Sequence, residues 1–351
     1  LEEKKKKMIK KEKKILFGIL SAIFVCTIII SLGRLYYVMT TPVTISESFR
    51  IYIRPEYTTD SVIDQIRRND PDAELKGLKI WLKHRNYDQN VHSGCYTITN
   101  GLGTKQVADI LTGGYQTPVR LTINSVRTVS RMSSSIASQL MLDSADVYYR
   151  LTDPHYLDSL GYSPETAFCM IIPNTYEVWW NISPDALFRR LIQETEKFWN
   201  DSRKEKAANM GMTINQVMTL ASIVEEETSQ SEELPVVAGL YINRLKRGMP
   251  LQADPTVIFA LGGERPKRVL NTHLEIDSPY NTYRITGLPP APIRFVNIRS
   301  IDAVLNYSQH NYYYMCAKED FSGYHNFAVT LSQHNLNAAR YRNALNKAGV
   351  K

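Results

Sequence analysis

Ile15 to Leu32 is a run of eighteen residues without one charged side chain. A helix of that length rises about 27 Å, the thickness of one hydrocarbon core. Lys4, Lys5, Lys6, Lys7, Lys10, Lys11, Lys13 and Lys14 precede it, and Arg34 follows. The heavier positive flank stays on the cytoplasmic side, so the rest of the chain is expected outside the membrane. A cleaved signal peptide is the alternative. It fits less well, because the run exceeds a usual h-region and Leu35-Tyr36-Tyr37 follows where a small-x-small site would stand. A buried core helix fits less well still, given the flanking lysines. The expected order is a basic tail at 1–14, a membrane anchor at 15–37 and a Thr- and Ser-containing linker at 38–48.

The formal charge of +7 comes largely from that tail, whose eight lysines and three glutamates give +5. The remainder is nearly balanced, which speaks against nucleic acid as a partner. Cys26 lies in the span. Cys95, Cys169 and Cys316 are odd in number and widely spaced, which is neither a disulfide framework nor a zinc pattern. The histidines (84, 92, 155, 273, 310, 325, 334) are dispersed and no HExxH occurs. No GxSxG marks a serine hydrolase. Neither a metal nor a cofactor is expected.

Beyond the anchor, elements of both kinds alternate, an α+β pattern. Phe49 to Ile53 alternates as a strand. Thr58-Thr59-Asp60-Ser61 reads as a helix start before Val62, Ile63 and Ile66. Leu78 to Leu82 continues the apolar pattern, and Cys95 to Ile98 is a second strand. Thr104 is a cap for a helix carrying Val107, Ile110 and Leu111, ended by Gly113-Gly114. These form a β–α–α–β–α module at 49–117. A larger domain at 118–351 follows. It opens on a strand at Val119 to Ile123 and has helices at Pro184 to Phe198, Ile214 to Thr228 and Leu234 to Arg247. A further helix starts from Pro292. Strands near Tyr312 and His325 and a helix from Leu331 close the chain.

The helix from Ile214 ends in Glu225-Glu226-Glu227. Helical spacing sets Glu226 above Ser222, Thr219 and Asn215, a polar face expected to meet water. Glu225 follows Ala221 and Met218, and Glu227 follows Ile223 and Leu220, so both border the apolar stripe, Glu225 closest to its centre. A carboxyl against an apolar wall holds its proton and can act as a general acid. The plain alternative is a solvated acidic helix end. It is a poor match to the helix dipole, which disfavours acids at a C-terminus.

ASIVEEET, INRLKRGMPLQADPTVIFA and SPYNTYRITGLPPAPI resemble the YceG/MltG family of endolytic peptidoglycan transglycosylases. Pro173-Asn174-Thr175-Tyr176, His325-Asn326-Phe327 and His334-Asn335 stand in matching order. The resemblance covers nearly the whole chain. It implies a LysM-like module at 49–117 and an α+β catalytic domain with a helix-borne glutamate in a groove. It also implies non-hydrolytic cleavage between MurNAc and GlcNAc that leaves 1,6-anhydro ends and trims or terminates nascent chains. Glycan strands are then the substrate, and peptidoglycan synthases or divisome proteins are candidate partners. The site is the outer face of a bacterial cytoplasmic membrane. Glu225 matches the first glutamate of the family's E-x-E and is the expected proton donor, with Glu227 in support. Gln252 and Asp254 are expected to bind sugar groups or orient the acid, although Asp254-Pro255 also suits a turn or a helix start. Tyr280-Asn281 is similar to a substrate-holding pair in lysozyme-like transglycosylases. Tyr283, Tyr176, Asn243, Arg244 and His325 are further candidates, with Leu288 and Pro289 as groove wall.

The chain departs from the family in three places. Gln333 replaces an acidic residue, Pro55-Glu56-Tyr57 lacks an expected glycine, and Ile293-Arg294-Phe295-Val296-Asn297 stands where Asn-Pro-Gly is usual. Two other function classes remain open at this point. One is a membrane-anchored glycan-binding or scaffold protein, the other a muramidase-type hydrolase. Proximity of Glu225 to Gln252 and Asn281 would favour the transglycosylase.

Overall fold

The computed structural model describes residues 1–262 and 270–349. Its first element, α1 (Glu2–Thr40), is long and apolar enough to cross a membrane by length and composition, and none of its side chains is buried. The basic tail continues the same helix, because lysine and glutamate are good helix formers. The chain divides into two compact units, Leu1–Val119 with Trp179–Asn181, and Arg120–Val178 with Ile182–Lys351.

In the first unit, β1 (Phe49–Ile53), α2 (Thr59–Asn69), α3 (Lys76–His84), β2 (Gly94–Ile98) and α4 (Thr104–Thr112) follow in order. β1 and β2 pair antiparallel, with Ile51 opposite Tyr96. Ile51 and Ile53 point inward while Tyr52 points out, the period of two that the sequence shows. Thr58 caps α2 in a reciprocal box with Ser61. Thr104, in contrast, is not a cap. It is the first helical residue, and its hydroxyl donates to the Met39 carbonyl at 2.6 Å, as the Trp81 indole does at 3.0 Å. Residues 38–48 are therefore not a free tether. Val43 and Ile45 lie in the core of this unit.

β3 (Val119–Thr122) leads into the second unit, followed by three short helices, α5 (Val129–Ala137), α6 (Ser144–Thr152) and α7 (Pro154–Asp158). β4 (Thr175–Val178), which the periodicity does not reveal in so short a stretch, pairs with β3. Then come α8 (Pro184–Phe198), α9 (Asp201–Asn209), α10 (Ile214–Glu227), α11 (Leu234–Lys246), α12 (Asp254–Ala260), α13 (Ile298–Leu305), β5 (Tyr314–Ala317), β6 (His325–Ala328) and α14 (Leu331–Lys347). α13 starts later than Pro292. The intervening Ile293 to Asn297 is irregular, bent at Ile293 and Arg294 and held by Ile293 N–H to Ser222 Oγ at 3.0 Å and Phe295 N–H to the Val126 carbonyl at 3.0 Å.

α10 lies at the centre of this unit. Thr213 and Gln216 form its N-terminal capping box. From Val217 to Val224 every side chain is buried, with α11 and α13 packed alongside. Thr219 and Ser222 survive in this core because their hydroxyls bond back to the Asn215 and Thr219 carbonyls, both at 2.7 Å. α11 brings its backbone unusually close to a neighbouring loop. A Cβ on Gly239 would stand 2.2 Å from the Ser308 carbonyl oxygen. The same loop is tied down by Asn243, whose amide donates to the His310 and Tyr312 carbonyls at 2.7 and 3.1 Å.

Candidate active site

At the acidic end of α10, Glu225 and Glu226 share Arg294 while Glu227 lines a cavity. Glu225 accepts from the Asn297 backbone N–H at 2.7 Å and from its side-chain amide at 2.9 Å, and Arg294 lies 3.2 Å away. Glu226 is gripped by Arg127 through two guanidinium nitrogens and by Arg294 at 2.7 Å. Its side chain is only 6% exposed, so the water-facing position expected from helical phase is not what the fold has. The C-terminal part of this face, Ser222 and Glu226, is met by the 293–297 segment, which no local pattern in the helix reveals.

Glu227, the last helical residue, lines a cavity of about 230 Å³ with Leu240, Tyr241, Arg244, Leu251, Gln252, Asp254, Tyr283, Met315, Cys316, Ala317 and His325. Gln252 lines this cavity and Glu225 does not. Tyr241 donates its hydroxyl to Glu227 Oε1 at 2.6 Å. Burial is the main influence on the Glu227 carboxyl. The Tyr241 hydrogen bond and Arg244 work in the opposite direction, while the charges of Asp254 and Glu226 add to the rise. Together they push its pKa up to about 7. Such a group carries a proton through much of the neutral range and can give it away.

The rest of the cavity wall is held by hydrogen bonds between groups distant in sequence. Arg244 is buried, its Nε donating to the Tyr313 carbonyl at 2.7 Å and its Nη1 to the Leu251 carbonyl at 2.7 Å and Gln252 Oε1 at 3.3 Å. Gln252 sits at φ +52°, a left-handed conformation that a non-glycine residue adopts at some cost, and its N–H donates to the Thr282 carbonyl. Asp254 opens α12 and accepts from the Tyr283 hydroxyl at 2.6 Å. The β5–β6 hairpin pairs Ala317 with His325. Glu233 fixes His325 twice, accepting from its backbone N–H at 2.7 Å and meeting Nδ1 at 2.8 Å. That leaves Nε2 of His325 available to a ligand.

Several expected residues have other work. Asn281 is fully buried, its amide donating to the Leu274 and Ile276 carbonyls at 2.9 and 2.8 Å and its Oδ1 accepting from Tyr283 N–H. It builds the loop that delivers Tyr283 and does not line the cavity. Asn243 holds the 308–312 loop as described. Tyr176 is buried and donates to the Ile172 carbonyl. Leu288 packs on the core and Pro289 is buried, and neither lines the cavity. Conversely, Tyr241 and Glu233 escape a sequence reading. Tyr241 falls two places before Asn243 in the INR stretch and looks like one more core aromatic. Glu233 precedes a proline-containing helix start and looks like a first-turn acid. All four cysteines are free thiols, Cys316 at the cavity edge. Among the described residues no three His, Cys, Asp or Glu side chains are grouped as a metal site needs.

Comparison with known proteins adds an independent line. The YceG-like family matches residues 51–340. An endolytic murein transglycosylase of Bacillus subtilis (strain 168) is 28% identical over 309 residues, spanning 83% of this chain and 84% of that protein. An enzyme of the same name from Streptococcus pneumoniae (strain ATCC BAA-255 / R6) is 28% identical over 181 residues, half of this chain and 32% of its own length. A crystal structure of a YceG-like protein from Listeria monocytogenes superposes with a TM-score of 0.57 at 27% identity, over 83% of this chain and 98% of that one.

Proposed function

Because this chain belongs to the YceG-like family, we propose that it is a peptidoglycan lytic transglycosylase whose proton donor is Glu227. The names of its relatives support the activity. One observation carries the residue assignment: of the three clustered glutamates, Glu227 alone lines the cavity, and burial pushes its carboxyl up to about 7. Glu225 and Glu226 are already occupied by Asn297 and two arginines. This moves the expected role by two residues, from Glu225 to Glu227.

The chemistry needs one carboxyl. Glu227 gives its proton to the glycosidic oxygen between MurNAc and GlcNAc as the bond to C1 breaks. The C6 hydroxyl oxygen of the same MurNAc bonds to C1, and its proton returns to the Glu227 carboxylate. A 1,6-anhydro end forms and no water is consumed. The nucleophile belongs to the substrate, so the second carboxylate of a hydrolase has no required part. Arg244, Gln252, His325 and the Tyr283–Asp254 pair supply donors and acceptors for sugar hydroxyls and amides. Tyr283 also offers a ring face.

Arranged this way, α1 anchors the chain, with the lysine-rich end cytoplasmic and the two units outside. The β–α–α–β–α order and antiparallel strand pair of the first unit support a LysM-like reading of it.

A muramidase-type hydrolase is the second reading, because Asp254 places a second carboxylate in the same cavity. Mass spectrometry of the ends released from purified glycan strands separates the two. A transglycosylase leaves ends lighter by one water than reducing ends. Reducing ends would overturn the proposal in favour of the hydrolase, and intact strands would favour a binding or scaffold role.

A further inference from the structure

We propose that Arg294 is a positioning residue for the proton donor, fixing the last turn of α10 by holding Glu225 and Glu226 together. The inference rests on the reading of Glu227 as that donor. The problem it solves is physical. Three consecutive acids end a helix whose last turn contains no basic residue. Acids there oppose the helix dipole, and the final turn of any helix lacks part of its internal hydrogen bonding. Left alone, these charges would repel one another and the turn would fray, and Glu227 is its final residue.

The positive charge comes from outside the helix. Arg294 reaches Glu226 Oε1 at 2.7 Å through Nη1 and Glu225 Oε1 at 3.2 Å through Nη2. Its Nε donates to Ser125 Oγ at 2.9 Å. The Ser125 hydroxyl donates in turn to the Phe295 carbonyl, which locks the arginine into its own loop. Arg294 is 15% exposed, against 10% and 6% for its two carboxylate partners. A planar fork that serves two acceptors at once is a property of arginine that lysine lacks. Arg127 adds a second grip, but on Glu226 only. Asn297 N–H and Ile293 N–H bracket the arginine with bonds to Glu225 and Ser222, so residues 293–297 run as a clamp along the end of α10. This is the stretch where the chain departs from its family's Asn-Pro-Gly.

The test compares kcat and KM on glycan strands for the full chain in detergent. The variants are Arg294→Lys, Arg294→Met, Glu226→Gln, the double Arg294→Met/Glu226→Gln, Ser125→Ala and Glu227→Gln. A misplaced donor costs up to roughly 100-fold. Arg294→Met is expected to lower kcat by 10- to 100-fold, about 1.4 to 2.8 kcal/mol in barrier, with KM changed less than about 2-fold. Arg294→Lys should recover part of that loss. In the Glu226→Gln background the effect of Arg294→Met should shrink at least about 5-fold, because one of the repelling charges is gone. The alkaline limb of kcat should move to higher pH in Arg294→Met, since the Glu226 charge that raises the donor is then less balanced. If Arg294→Met fails to fold, Ser125→Ala carries the test, with a kcat loss of a few-fold and no KM change. Unchanged kcat in a folded Arg294→Met, a change borne by KM alone, or equal losses in both backgrounds would overturn the proposal. Full activity in Glu227→Gln would instead overturn the reading it rests on.

Discussion

Removing the Glu227 charge should change how stability depends on pH, and the size of the change follows from its surroundings. The carboxyl is held up at about 7 when folded, chiefly by burial, against an ordinary value of 4.5. A group raised on folding favours the folded state while it is protonated. That contribution is complete below the unfolded value and is lost as pH rises through the folded one. The window is therefore about pH 4.5 to 7, and 2.5 pH units amount to about 3 kcal/mol. Glu227→Gln has no proton to lose there. Urea unfolding of both proteins across pH 4 to 8, in the same detergent, gives the difference directly. Relative to Glu227→Gln, the wild type should lose about 3 kcal/mol between pH 4.5 and 7 and then level off. A difference that stays flat, or the same slope appearing in Glu225→Gln instead, would refute the burial argument.

Tyr241→Phe removes the hydrogen bond that favours ionised Glu227, so the alkaline limb of the pH–rate profile should move up by about one pH unit. Asn281→Ala removes the donor to the half-buried Leu274 and Ile276 carbonyls and the acceptor for Tyr283 N–H, and should cost about 1–3 kcal/mol in chemical unfolding while raising KM for glycan strands through a loosened Tyr283. Gly239→Ala forces a Cβ against the Ser308 carbonyl, and about 1–3 kcal/mol of stability should be lost.

Much of this was legible in the sequence because it depends on local periodicity. The apolar run at 15–32 reads directly as a membrane-length helix, and the alternation in Phe49 to Ile53 gives β1 its inward and outward faces. Helical phase correctly sets Glu227 above Ile223 and Leu220. Phase fails for Glu226 because α10 is enclosed from Val217 to Val224, and the groups that cover Glu226 arrive from far along the chain. Arg127 lies 99 residues away and Arg294 lies 68. Nothing within ASIVEEET reports on them. Asn281 shows the converse limit. Its place in YNTYRITGLPP suggests a ligand contact, whereas its amide closes its own loop. Motif position identifies the region of a site, and the partners of each side chain decide its part in it.

The central claim is that one carboxyl, Glu227, carries the proton. The most direct measurement is cleavage of glycan strands by Glu227→Gln and Glu225→Gln beside wild type, with folding of each checked by circular dichroism. Loss of a general acid costs roughly 10²- to 10⁴-fold. Glu227→Gln should fall by that amount, and Glu225→Gln should stay within about 10-fold of wild type, reflecting only a loosened hold on Asn297. Robust cleavage by Glu227→Gln together with an inactive, folded Glu225→Gln would contradict the account.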